Sequence, residues 1–153
     1  MEPIPSIERI GQSGAAWRPS VVTYLDSGVL LAAWRSAELR PVALRVLEDA
    51  NRQFATSQLA KLELLPKAIF EKRPVEQAFY QAHFAEAVAS QPLDEQLGND
   101  AQKLAEKYGL AAVDALHVAA ALRLGAQEFY TAERPGKPMF RVKELKVISL
   151  HSS

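Results

Sequence analysis

The apolar positions of this chain alternate between two rhythms. Val21–Leu25 (VVTYL), residues 54–57 (FATS), Glu128–Thr131 (EFYT) and residues 146–150 (KVISL) are short runs suited to buried strands. Between them, apolar residues recur at helical spacing. Asp26 and Ser27 follow the first run at once and suit the cap of a helix beginning GVLLAAWR. Residues 41–52 predict a helix with Pro41 in its first turn, carrying Val42, Val46 and Leu47. QLAKLELLPKAIFEK predicts the next, with Leu59, Leu62, Leu65 and Ile69 at helical spacing, and Pro66 is expected to kink or divide it because it removes a backbone donor.

Three more helices are predicted over residues 75–88, 100–108 and 111–124. The first offers Phe79, Tyr80, Phe84 and Val88 as buried positions, and the last is ended by Gly125 as a C-terminal cap. After EFYT, a loop rich in proline and glycine (ERPGKP) leads to a short turn and the last strand. Strands alternating with helices predict an α/β domain with a parallel or mostly parallel central sheet flanked by helices. Residues 1–20 hold three prolines and two glycines without sustained periodicity. They read as an irregular extension, with the domain spanning residues 21–150.

A length of 153 residues suits a single domain with a substantial core of its own. Eighteen basic residues balance eighteen acidic ones, so net charge gives no sign of strong non-specific phosphate binding, and a nucleic-acid partner would have to be held locally. The absence of cysteine excludes disulfides, thiolate zinc sites and a cysteine nucleophile, and is compatible with a reducing cytosol. No apolar run has the length of a membrane span or signal core, so a soluble, cytoplasmic protein is expected, without membrane attachment.

The chemistry concentrates in four acids. Asp26 follows the first strand, and Glu63 lies six residues after the second. Asp114 opens a helix, and Glu133 lies two residues beyond Thr131 at the end of EFYT. In open α/β sheets the carboxyl ends of the strands border the ligand crevice, so all four can reach one end of the sheet. Carboxylates about 4 Å apart repel by roughly 4 kcal/mol per pair at an effective dielectric near 20, and a hard cation reverses that balance. Oxygen ligands without sulfur or paired histidines favour Mg²⁺ or Mn²⁺. The implied chemistry is phosphodiester hydrolysis by cation-activated water. Taken singly, each acid has an ordinary reading: Asp26 and Asp114 as caps or turn residues, Glu63 as a solvated helix position, Glu133 as a surface loop acid.

Four segments carry a family resemblance: VVTYLDS, SQLAKLEL with Glu63, YGLAAVDALHVAAALRLGAQEFYT with Asp114, and the following TAER. From about Val21 to Leu150 the chain resembles PIN-domain ribonucleases, including the VapC-like toxins of bacterial toxin–antitoxin pairs. The resemblance implies a PIN-like fold and an endoribonuclease using Mg²⁺ or Mn²⁺. It implies Asp26, Glu63 and Asp114 as metal-binding acids, Glu133 completing the catalytic set, and Ser27 and Thr131 as supporting hydroxyls. Glu133 stands where the family often has aspartate, and it is the departure from the pattern.

The resemblance also implies an RNA substrate, a cognate antitoxin protein and a homodimer formed through helices. His117, three residues after Asp114, faces the same side of its helix and reads as a packing or hydrogen-bonding group rather than a ligand. Arg134, Lys137 and Arg35 are candidates to neutralise RNA phosphates. The competing readings are a catalytically inactive PIN-like module that binds protein or RNA, and an unrelated metal-dependent phosphohydrolase. The second would need an aspartate motif that Asp26-Ser27-Gly28 does not supply.

Overall fold

Every strand of the sheet runs in the same direction, which brings all the carboxyl ends to one edge. The computed structural model describes residues 21–152, so the extension expected over residues 1–20 lies outside the described residues. In chain order the elements are β1 (Val21–Leu25), α1 (Ser27–Arg35), α2 (Arg40–Leu47), β2 (Arg52–Ser57), α3 (Gln58–Phe70) and α4 (Pro74–Glu86). They continue with β3 (Ala89–Gln91), α5 (Glu95–Tyr108), α6 (Ala112–Arg123), β4 (Glu128–Thr131), a 3₁₀ turn (Pro138–Arg141) and β5 (Lys146–Ser149). The sheet order is β3-β2-β1-β4-β5, all pairings parallel, with Tyr24 opposite Ala55 on one side and Phe129 on the other. The chain builds outward from β1 to β3 and then returns to the other side of β1. The topological switch point therefore lies between β1 and β4, where α/β sheets place their ligands.

One apolar cluster covers the face of the sheet under α5 and α6, with Tyr24, Leu97, Leu104, Val118, Phe129 and Met139 at its centre. The other face is covered by α1 to α4 around Leu25, Val29, Leu30, Val46, Leu64 and Tyr80. Side-chain oxygens start three of the helices: Asp26 accepts from Val29 N at 3.2 Å, Ser57 from Ala60 N at 3.1 Å and Asp94 from Leu97 N at 2.8 Å. Gly109 and Gly125 follow α5 and α6 at φ 70° and 69°, the left-handed conformation in which a Cβ is costly.

Several expectations are corrected. The sheet has a fifth strand, β3, whose three residues Ala-Ser-Gln carry no apolar alternation and are fixed only by pairing with β2. α2 stops at Leu47, not residue 52. A turn follows in which Asp49 accepts from Asn51 N and Arg52 N, and β2 takes over at Arg52. α5 begins at Glu95, earlier than residue 100, because Asp94 caps it.

Pro66 does not divide α3, which runs unbroken through it. Its buried side is Leu59, Ala60, Leu64 and Ala68, while Leu62 and Ile69 are 60% and 52% exposed. Val88 is exposed beyond the end of α4. Among the described residues no helix is long and apolar enough to cross a membrane.

Candidate active site

Asp26 sits at the carboxyl end of the central strand. Its backbone N–H donates to Tyr130 O across the switch point, and its Oδ1 caps α1. At 8% exposure the carboxyl is taken out of water, and this burial pushes its pKa up to about 6. The Thr131 hydroxyl and the neighbouring His117 pull the other way, and the charge of Asp114 adds to the rise. Gly28 keeps this corner tight, because a Cβ there would stand 3.3 Å from both Ala132 Cβ and Asp26 Oδ1.

Asp114 lies in the first turn of α6. Partial burial raises its carboxyl, and Glu133 and Glu63 raise it further against the pull of His117 and Lys137. Asp26, Glu63, Asp114 and Glu133 thus share one electrostatic neighbourhood at the sheet edge. Among the described residues, no ion pair includes Asp26, Asp114 or Glu133.

Glu63 is held differently. Its Oε1 accepts from Ser27 Oγ at 2.5 Å and lies 2.6 Å from His117 Nε2, and these contacts, the histidine first, lower its pKa. Behind it, His117 Nδ1 lies 2.7 Å from Tyr24 Oη, which lies 2.7 Å from Ser57 Oγ. Thr131 is fully buried at the end of β4, and its Oγ1 accepts from Glu133 N at 3.1 Å. Glu133 is an exposed loop residue whose carbonyl is fixed by Ser149 Oγ at 2.6 Å. Lys137 and Arg134 are exposed on the loop after β4.

Arg35 stands apart. It pairs with Glu76 at 3.1 Å and Glu71 at 3.7 Å, at the far end of a cavity of about 310 Å³ that begins at Ser27 and Glu63 and passes Lys67.

The donor set matches a hard cation: oxygen donors only, with two carboxyls raised by burial and neighbouring carboxylates, and neither of them in an ion pair with lysine or arginine among the described residues. The same residues do not converge into a three-ligand shell. Among the described residues, no group of three His, Asp or Glu side chains is arranged to hold a metal ion. The links through Tyr24 and Ser57 went unread in the sequence. Tyr24 reads there only as part of a strand, and its partner His117 lies 93 positions away.

Several solved structures share this fold. A toxin–antitoxin complex from Klebsiella pneumoniae matches at 18% identity and TM-score 0.62, covering 86% of this chain and 99% of that one. FitAcB from Neisseria gonorrhoeae matches at 18% identity and TM-score 0.61, covering 84% and 97%. VapC20 from Mycobacterium tuberculosis, described as a toxin cleaving the sarcin–ricin loop, matches at 14% identity and TM-score 0.59, covering 81% and 98%. A comparison with curated protein sequences gave no match. The PIN domain family model matches residues 23–134, which include all four acids, both flanking hydroxyl residues and the whole switch point. With that match over most of its length, the chain belongs to the PIN domain family.

Proposed function

We propose that this protein is a Mg²⁺- or Mn²⁺-dependent endoribonuclease and the toxin of a toxin–antitoxin pair. The observation that carries the reading is the pair of carboxyls Asp26 and Asp114, raised by burial and by neighbouring carboxylates and without an ion-pair partner among the described residues. Such groups take up either a proton or a cation. Membership of the PIN family and likeness to toxin structures support the same chemistry.

In this reading Asp26, Glu63 and Asp114 hold the cation, and Glu133 completes the catalytic set from the loop after β4. When bound, the cation supplies positive charge to a phosphate oxygen and lowers the pKa of water. Ser27 and His117 keep the Glu63 carboxylate ionised and aimed, and Thr131 fixes the backbone at Glu133. Lys137 and Arg134 offer charge to the flanking phosphates. Asp114→Asn should reduce RNA cleavage at least about 100-fold, equivalent to roughly 3 kcal/mol of barrier. Undiminished cleavage by the variant would contradict the assignment.

The second reading, an inactive PIN-like module, draws on the exposed Glu133 and the lack of a converged three-ligand group among the described residues. Calorimetric titration separates the two, because the active site should bind Mn²⁺ and the inactive module should not.

The partner expectations rest on apolar surface. Leu62 and Ile69 lie two turns apart on α3, Phe70 at its end is 87% exposed, and Val75 at the start of α4 is also exposed. Apolar positions this close together suit a protein partner, a second copy or an antitoxin. Native mass spectrometry at micromolar concentration should give a dimer for the isolated chain, and a monomer alone would leave the antitoxin as the occupant of this surface.

A further inference from the structure

We propose that Tyr24 and His117 are positioning residues that set the direction of a buried hydrogen-bond chain and so fix the Glu63 carboxylate. The proposal rests on the metal-site reading only for its consequence, since the chain itself is visible in the protein without a ligand. It runs across the sheet: Ala60 N to Ser57 Oγ at 3.1 Å, Ser57 Oγ to Tyr24 Oη at 2.7 Å, Tyr24 Oη to His117 Nδ1 at 2.7 Å, and His117 Nε2 to Glu63 Oε1 at 2.6 Å. Tyr24, Ser57 and His117 are all buried, so no bulk water competes for the two links among them.

Counting hydrogens fixes the direction. A backbone N–H only donates and an ionised carboxylate only accepts, so both ends of the chain are determined. His117 must carry hydrogen on Nε2 to face Glu63. With Nδ1 free of hydrogen, Tyr24 donates to it and Ser57 donates to Tyr24. Ser57 Oγ then accepts from Ala60 N, and every group is satisfied once.

The reverse arrangement, with hydrogen on Nδ1 as well, makes Tyr24 donate to Ser57. It leaves the Ser57 hydroxyl hydrogen without an acceptor, because Tyr24 and Ala60 N are the only partners of that oxygen among the described residues. A buried donor left without an acceptor is costly, which selects the first arrangement. Burial also pushes the Tyr24 phenol well above its ordinary value and keeps it a donor.

The sheet supplies the rigidity this role needs. Tyr24 is stacked on Phe129 at 5.4 Å with 12° between the rings, and meets the His117 ring edge-on at 5.7 Å. The tyrosine that meets the histidine is thereby itself held in place. Ser27, 3.4 Å from Nε2, shares the same carboxylate oxygen and closes the arrangement at the surface. A glutamate on a partly exposed helix position thus acquires a fixed rotamer through residues on β1, β2 and α6.

Long-range ¹⁵N–¹H correlation spectra of the metal-free protein at neutral pH read the tautomer directly, with His117→Gln identifying the signals. The expected result is a single Nε2–H tautomer for wild type and loss of that single form in Tyr24→Phe. A His117 carrying its hydrogen on Nδ1, or a Tyr24→Phe spectrum identical to wild type, would overturn the proposal. Mn²⁺ titration then tests the consequence. Tyr24→Phe should weaken binding several-fold, and His117→Gln, whose amide N–H can replace the donor to Glu63, should bind more tightly than His117→Ala. Equal affinities for all four proteins, with binding abolished in Asp26→Asn, would overturn the positioning role. Wild type that binds no Mn²⁺ at all would contradict the metal reading instead, and the tautomer then decides the proposal alone. Circular dichroism of each variant excludes unfolding as the cause.

Discussion

Asp26→Asn is expected to stabilise the metal-free protein at pH 7 and to abolish its RNA cleavage. Burial holds the folded-state pKa of Asp26 near 6, against an ordinary value of 3.8. Between those two values the folded protein binds more protons than the unfolded one, so stability falls as pH rises through the window. Above it, the ionised buried carboxylate costs up to about 3 kcal/mol, since each tenfold change in proton affinity is worth about 1.4 kcal/mol. Asparagine removes the charge and keeps the oxygen that caps α1 at Val29 N.

In chelator the variant should melt roughly 5–10 °C above wild type at pH 7, and the gap should close as pH approaches 4. Mn²⁺ should raise the wild-type midpoint and leave the variant's unchanged. A variant less stable than wild type at pH 7, or a gap independent of pH, would contradict the buried-charge account. A site that sacrifices stability for activity is expected where charge is held in readiness for a ligand.

Phe129→Ala should produce the largest loss of stability. The side chain is fully buried in β4, stacked against Tyr24, in the cluster beneath α5 and α6. Truncating a buried phenylalanine removes its transfer free energy and leaves a cavity, together about 3–5 kcal/mol. Urea denaturation should show that loss, and Phe129→Leu should show a smaller one. A change below about 1 kcal/mol would mean that the core under Tyr24 is not packed as described. Because Phe129 also supports the tyrosine that orients His117, the alanine variant should lose Mn²⁺ affinity at temperatures where it is still folded.

The repeating unit of strand, acid and helix was legible because two independent signals coincide there. VVTYL has the composition of a buried strand, and Asp26 immediately after it has the chemistry of a cap. The same coincidence marked the start of α3, where Ser57 ends β2 and caps the helix. β3 had no such mark, since its three residues are set by the edge of β2 that they pair with.

On α3 the apolar spacing does not mark the buried side. The large residues Leu62 and Ile69 point outward, while Ala60 and Ala68 face the core, where small side chains let α3 approach its neighbours. Hydrophobic periodicity records which positions are apolar, not which stripe the fold buries. At the site, the acids carried their own signal, but the hydrogen-bond chain behind Glu63 did not. Its members come from β1, β2, α3 and α6, and only the closed sheet makes Tyr24 and His117 neighbours.

In the proposed function these carboxylates bind a divalent cation and use it to hydrolyse RNA. The most direct measurement follows an end-labelled single-stranded RNA incubated with wild-type protein in chelator, and then after Mg²⁺ or Mn²⁺ is restored. The expected result is no cleavage in chelator, internal cleavage once the cation returns, and at least about a 100-fold lower rate for Asp26→Asn under the same conditions. Cleavage that persists in chelator, or that proceeds equally in Asp26→Asn, would contradict it.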